Sequence, residues 1–318
     1  MNWNNETEIE RFRQMWAGRP SCRLDHSGAA WNERAIKWEE GLRSDAARKK
    51  RNAARVADVT SFLLEKEALK ENYDVIDIGC GPGRFVAEFA RHARHAVGTD
   101  LSENMCRFGR EYCQSQGIGN VSFIPCDFKA VQPEDMGWEK AFDLVFSCTT
   151  PAMNTMDSIE KTIKMSRRWC LNGNFVNMVD GLLQDAAANV EGACYVPRWN
   201  GHSSYAMFNI LWLSGYSPYI SYYHEGEDEI YLPNEDTARE AARNLNVPGG
   251  DEDALCGRIL DYLKKVYDEK GSIVYPFKCT YAWVLWDVNE RFDRSGYNMT
   301  YGEGSAAPDF SDRKCRQS

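Results

Sequence analysis

Asp77, Gly79, Gly81, Gly83 and Asp100 are the residues of this chain whose types and spacing most readily suggest chemistry. A short apolar run, Val75, Ile76 and Ile78, leads into the glycines and reads as a strand buried on both faces, as in a parallel sheet. The glycines occupy every second position, and after them Phe85, Val86, Phe89 and Ala90 recur at helical spacing. Glycine lets a backbone turn tightly and approach a ligand, and a helix start presents unpaired N–H groups to an anion. A second short strand, Ala96 to Thr99, runs into Asp100. A carboxylate at that point can accept hydrogen bonds from both hydroxyls of a ribose. This is the cofactor half of a nucleotide-type site. A glycine turn that binds nothing is the competing reading, and the order strand, glycines, helix, strand, acid speaks against it.

A dinucleotide fingerprint would read Gly-x-Gly-x-x-Gly, and the spacing here is Gly-x-Gly-x-Gly. On Asp77 to Gly83 and Asp100 the sequence resembles the class I S-adenosylmethionine-dependent methyltransferases. The resemblance implies S-adenosylmethionine as cofactor. It also implies a cofactor-binding set of Asp77, Gly79, Cys80, Gly81, Gly83, Asp100, Leu101, Met105, Cys126, Asp127, Phe128 and Ser147. In that set the glycine turn holds the methionine end, Asp100 the ribose and Asp127 the adenine amino group, with Phe128 against the ring. Ser147 lines the methyl-donor end through its backbone. The family's Asn-Pro-Pro-Tyr signature for flat amines is absent after the fourth strand, where Ser147-Cys148-Thr149-Thr150-Pro151 stands instead. Metal-dependent relatives place acids after the fourth and fifth strands, and only Asp180 is present here, so no metal is expected.

The elements that must position these residues follow in order. Residues 1–72 read as helical and, by resemblance, as a lid over the cofactor. Trp31, Ala35 and Trp38 share a helix face there, which fits either that lid closing over the cofactor or tryptophans packed into a core. Arg48, Lys49, Lys50 and Arg51 read as a solvated face of a helix over about 45–70. Residues 73–180 are the core, with further strands at Val121–Pro125, Phe142–Phe146 and Phe175–Val179 and helices over 102–116 and 155–170, the latter capped near Gly173. Residues 181–277 form a substrate-pocket insertion with a helix over 203–214, a sixth strand at Tyr219–Tyr223 and two helices within 234–270. Residues 278–290 give a final strand and 291–318 a tail. By the same resemblance the expected fold is α/β: a doubly wound, mostly parallel seven-stranded sheet with the last strand antiparallel, a Rossmann-like methyltransferase fold.

Composition narrows the function classes. The chain has 318 residues, 43% hydrophobic and 27% charged, with a formal charge of −9. That size suits one large domain with an insertion. No run approaches the ~20 apolar residues of a membrane span, and the polar start does not read as a signal peptide. Eleven cysteines without a Cys-x-x-Cys pair fit reduced thiols in a cytoplasmic protein. An acidic chain lacks the positive footprint that nucleic acid requires. The expected partner is a small-molecule substrate, with no nucleic acid and no membrane; oligomeric state is not legible.

Trp31, Trp38, Thr149, Tyr195, Trp199 and Tyr205 are the candidate substrate residues. A general base, where the acceptor needs one, would be His26 or His202. Cys148 and Cys194 resemble cysteines of arsenite methyltransferases, and buried cysteine as an apolar filler is the alternative. A cofactor-binding sensor or assembly protein without turnover is the second reading of the whole chain, and a nicotinamide dehydrogenase fails on the glycine spacing.

Overall fold

The computed structural model describes residues 5–17, 27–195, 201–245 and 251–293. Seven strands form one sheet in the order β3-β2-β1-β4-β5-β7-β6. They are β1 (Asp74–Ile78), β2 (His95–Asp100), β3 (Val121–Pro125), β4 (Phe142–Cys148), β5 (Ser166–Asp180), β6 (Tyr219–Tyr231) and β7 (Ile273–Asp287). The first five pair in parallel, and β7 runs antiparallel to both β5 and β6. Parallel strands need both faces covered, and the helices do this in two layers. Helices α3 (Ala46–Glu65), α4 (Arg84–Ala90) and α5 (Glu103–Ser115) bury Val59, Leu63, Val86, Phe89 and Cys113 on one face. Helices α1 (Asn5–Ala17), α6 (Met156–Met165) and α8 (His202–Leu213) cover the other with Trp16, Ile159, Met165, Met207 and Ile210. Helix α2 (Gly28–Ser44) packs Ala35 on Met105 and Phe108 of α5.

The sequence expectation of a helix over 155–170 is corrected. Helix α6 stops at Met165, and β5 begins one residue later and runs for 15 residues. Trp169 and Leu171 face one layer and Cys170 the other, the period-two signature of a strand. This apolar run follows Ile163 at a helical interval, which disguised it. Gly173 is therefore no cap but a strand residue, and a Cβ there would lie 2.4 Å from Cζ3 of Trp283.

The last three strands are also longer than expected. Beyond the core they form an antiparallel arm in which Asp180 pairs with Phe277 and Tyr231 with Ile273. The boundary placed at 278 thus falls inside β7. Helices α7 (Gly181–Asn189), α9 (Glu235–Asn244) and α10 (Glu252–Lys270) build a separate core against the arm from Leu183, Ala238, Leu255 and Ile259. Its other side meets α3, where Arg51 pairs with Glu227 and with Glu229 at 3.0 Å. Arg51 is thus no solvated residue: alternate acids on β6 face it.

Replacing Gly173 by alanine should force the Trp283 ring to move. Urea denaturation should show a loss of about 1–3 kcal/mol, the usual cost of overpacking.

Candidate active site

The tips of β1, β2, β3 and β4 open into one cleft. Its walls include Asp77, Gly79, Cys80, Gly81, Asp100, Leu101, Met105, Cys126, Asp127, Phe128 and Thr149, with Trp31 and Trp38 from α2. Three left-handed glycines make the turn out of β1: Gly79, Gly81 and Gly83 have φ of 70, 52 and 71°. Each has its own reason to lack a side chain. A Cβ on Gly79 would sit 2.1 Å from Oγ1 of Thr150, and one on Gly83 would strike the Phe123 ring at 2.7 Å. A Cβ on Gly81, which lines the cleft, would meet nothing within 4 Å. Gly79 and Gly83 are thus needed for packing, and Gly81 keeps the cradle open to a ligand.

Two acids frame this turn. Asp100 ends β2 and is held by two backbone donors, Gly81 N to Oδ2 at 3.0 Å and Ser102 N to Oδ1 at 2.8 Å. Burial pushes its carboxyl up, and those two N–H groups pull the other way. Asp77 is 2% exposed and its Oδ2 has no hydrogen-bond partner. Burial, reinforced by the Asp100 charge, pushes the Asp77 carboxyl well above the usual range. A buried orphan carboxylate lining a cavity is a place for a cationic ligand group. Nearby, burial raises the Cys148 thiol to about 12, so it stays protonated.

The far wall comes from β4. Thr149 has φ of 49° and donates its N–H to the Gly173 carbonyl at 2.8 Å. A β-branched residue in the left-handed region stores strain of about 1–3 kcal/mol, a feature that clusters at ligand sites. At the opposite end Phe128 is buried under Lys161, whose Nζ donates to the Lys129 carbonyl at 2.8 Å.

The structure also shows where the remaining sequence candidates lie. Gly83 and Ser147 are not cleft residues. Gly83 turns the chain into α4, and Ser147 is buried with its Oγ accepting from Asn172 Nδ2 at 2.9 Å. Tyr205 is exposed on α8 and makes an edge contact with Phe12 at 5.6 Å. His202 begins the same helix, which covers the sheet face opposite α3, and Tyr195 packs with the arm helices. None of these three lines the cleft. Cys194 is exposed and also outside it, so the structure does not bring it to the cleft with Cys148. His26 and Trp199 lie outside the described residues. The expected lid over 1–72 is split: α1 packs on α8, while α2 and α3 border the cleft.

Three residues that fix this border escaped the sequence reading. Asn32 Oδ1 accepts from Ser102 Oγ at 2.7 Å, tying α2 to the start of α5. Arg84 donates from Nη2 to both oxygens of Glu39 at 3.0 Å and lies over Tyr112. Asn32 and Glu39 sit seven apart on α2, and that interval next to the tryptophans was the available signal. The third, Arg55, enters the cleft from α3. Among the described residues, no group of three or more His, Cys, Asp or Glu could hold a metal ion.

Residues 75–173 match the family described as a methyltransferase domain. A 53-residue stretch is 42% identical to 23S rRNA (uracil(1939)-C(5))-methyltransferase RlmD of Hahella chejuensis, covering 17% of this chain and 12% of that protein. A stretch of 152 residues is 22% identical to phosphoethanolamine N-methyltransferase 1 of Caenorhabditis elegans, covering 48% of this chain and 31% of that protein. The solved magnesium protoporphyrin IX methyltransferase of Synechocystis PCC 6803, with bound SAH, aligns over 88% of this chain and 94% of that one at 14% identity and a TM-score of 0.40. The chain spans about 12% to 35% of the length of the curated relatives it matches.

Asp77→Asn should act differently in acid and in base. A raised folded-state pKa means that Asp77 favours folding below the ordinary carboxyl range and loses that contribution as pH rises through the folded value. The variant should therefore match wild type near pH 4 and be the more stable protein at pH 8. A gap in denaturation free energy that does not widen with pH would contradict the burial argument. Gly81→Ala should cost about 1–2 kcal/mol of stability through its positive φ and abolish ligand binding in calorimetry, its methyl group occupying the cradle.

Proposed function

We propose that this chain transfers a methyl group from S-adenosylmethionine to a small-molecule acceptor, with the methyltransferase domain of residues 75–173 holding the cofactor. The observation that carries this reading is the pairing of an open glycine cradle at Gly81 with the orphan carboxylate of Asp77 and the strand-end carboxylate of Asp100 in one cleft. These groups fit the cofactor part by part. Asp77 can take the ammonium of the methionine end, and Asp100, already fixed by two backbone donors, has lone pairs left for ribose hydroxyls. Asp127 and Phe128 stand at the adenine end.

The cofactor supplies an electrophilic methyl group on a sulfonium, so the protein's task is placement. Holding an acceptor in line can contribute about 7–11 kcal/mol without any covalent side-chain chemistry. The strained Thr149, with Thr150 and Pro151, forms the wall beside β4, and Trp31 and Trp38 close the cleft from α2. The apolar and aromatic side chains of Trp31, Trp38, Leu42, Phe85 and Leu101 in its walls suit a small organic acceptor. The acidic balance of the chain and the engagement of Arg51 and Arg84 in ion pairs argue against a polyanion. No helix among the described residues is long and apolar enough to cross a membrane, and a cytoplasmic setting fits the many unpaired cysteines.

Purified protein should bind S-adenosylhomocysteine, and it should produce that compound when given S-adenosylmethionine and a metabolite extract. Asp100→Ala should weaken nucleoside binding by about 10- to 100-fold, the loss expected for charge-assisted hydrogen bonds to the ribose. Binding without turnover in any extract would favour a sensor instead.

A further inference from the structure

Helix α3 brings a cation into the cleft whose guanidinium is only partly engaged. Arg55 is 17% exposed in its side chain and borders the cleft together with Asn52, Asp77 and Cys148. Its Nη1 donates to Glu225 Oε1 at 3.4 Å and to the Tyr281 hydroxyl, and its plane lies 4.8 Å from the Tyr281 ring centre. The Tyr281 hydroxyl in turn donates to Glu225 at 3.0 Å. Nε is buried and has no partner. Buried donors are nearly always satisfied, so an orphan beside a cavity points to an acceptor that arrives with a ligand.

The acceptor's chemistry follows from the shape of the group. A guanidinium offers parallel N–H bonds along its edges, and this geometry matches a carboxylate. With Nη1 committed to Glu225 and Tyr281, the Nε edge remains. In the same cavity Asp77 presents an orphan of opposite sign. We propose that Arg55 is a carboxylate anchor of this cleft, receiving a ligand carboxylate on its Nε edge, with Glu225 and Tyr281 as positioning residues that hold the guanidinium in place. The carboxylate belongs either to the amino-acid end of the cofactor, whose ammonium then meets Asp77, or to the acceptor molecule. The identity of the ligand rests on the methyl-transfer reading; the carboxylate chemistry does not.

Two nucleosides separate these sources. S-adenosylhomocysteine carries the amino-acid end, and 5′-methylthioadenosine has the same nucleoside without it. Calorimetry on wild type, Arg55→Gln and Arg55→Lys should show S-adenosylhomocysteine affinity falling by about 10- to 100-fold in Arg55→Gln, with 5′-methylthioadenosine unchanged within twofold. Arg55→Lys, which keeps the charge without the fork, should fall between. Unchanged methylthioadenosine binding also reports that the variant cleft is folded. Equal preference for the two nucleosides in wild type and Arg55→Gln removes the cofactor as the source. Benzoate titrated into methylthioadenosine-saturated protein then decides: Arg55-dependent binding assigns the carboxylate to the acceptor, and none overturns the proposal. If neither nucleoside binds wild type, the methyl-transfer reading falls, and the benzoate titration into free protein judges Arg55 alone.

Discussion

The architecture of the cleft depends on how closely the tip of β4 approaches the turn that follows β1. Thr150 occupies the space a side chain on Gly79 would need. Its Oγ1 also accepts from Ala152 N at 3.2 Å, which fixes the turn after β4. Because β1 and β4 are hydrogen-bonded neighbours, with Ile78 beside Ser147, their two loops must share one small volume. Glycine in the left-handed region is the residue that allows it. This contact joins the two turns that carry Thr149 and Gly81.

Electrostatics then finishes what packing begins. The cleft gathers carboxylates that a dry interior would normally exclude, and it tolerates them in different ways. Asp100 is satisfied by backbone donors, whereas Asp77 keeps an unmatched oxygen. Arg84 is matched by Glu39, whereas Arg55 keeps an unmatched nitrogen. Groups with partners give the cleft its shape, while Asp77 and Arg55 each keep one unpartnered atom. The same division separates Gly83, where a Cβ would strike the Phe123 ring, from Gly81, where it would meet nothing within 4 Å.

The core was legible because its signals are local. The run Val75–Ile78, the alternating glycines and Asp100 lie within 26 residues and name strand, turn, helix and acid in order. The seven-stranded sheet with its antiparallel last strand came through the resemblance rather than from periodicity. Less was legible where a signal depends on distant partners. Arg51 looks like any basic residue on a helix until β6 places Glu227 and Glu229 opposite it. Trp169 and Cys170 look like the end of a helix because Cys170 follows Ile163 by seven residues, a helical interval. Ser147 ends up with its side chain buried against Asn172, while Cys148 and Thr149 line the cleft. Tyr205 and His202 are aromatic and polar like a pocket wall, yet α8 covers the opposite face of the sheet.

The Arg55 contacts have a further consequence for biosynthesis. The partners that hold this residue, Glu225 and Tyr281, lie 170 and 226 positions later in the chain. A ribosome that has delivered the first five strands has released every backbone element of the glycine cradle, but not the residues that steady its cationic wall. The nascent domain can collapse around β1 to β5 while α3 is still unclamped. The cleft should reach its mature form only after the last strand emerges and threads between β5 and β6, a slow closure of the kind that long-range strand pairing imposes.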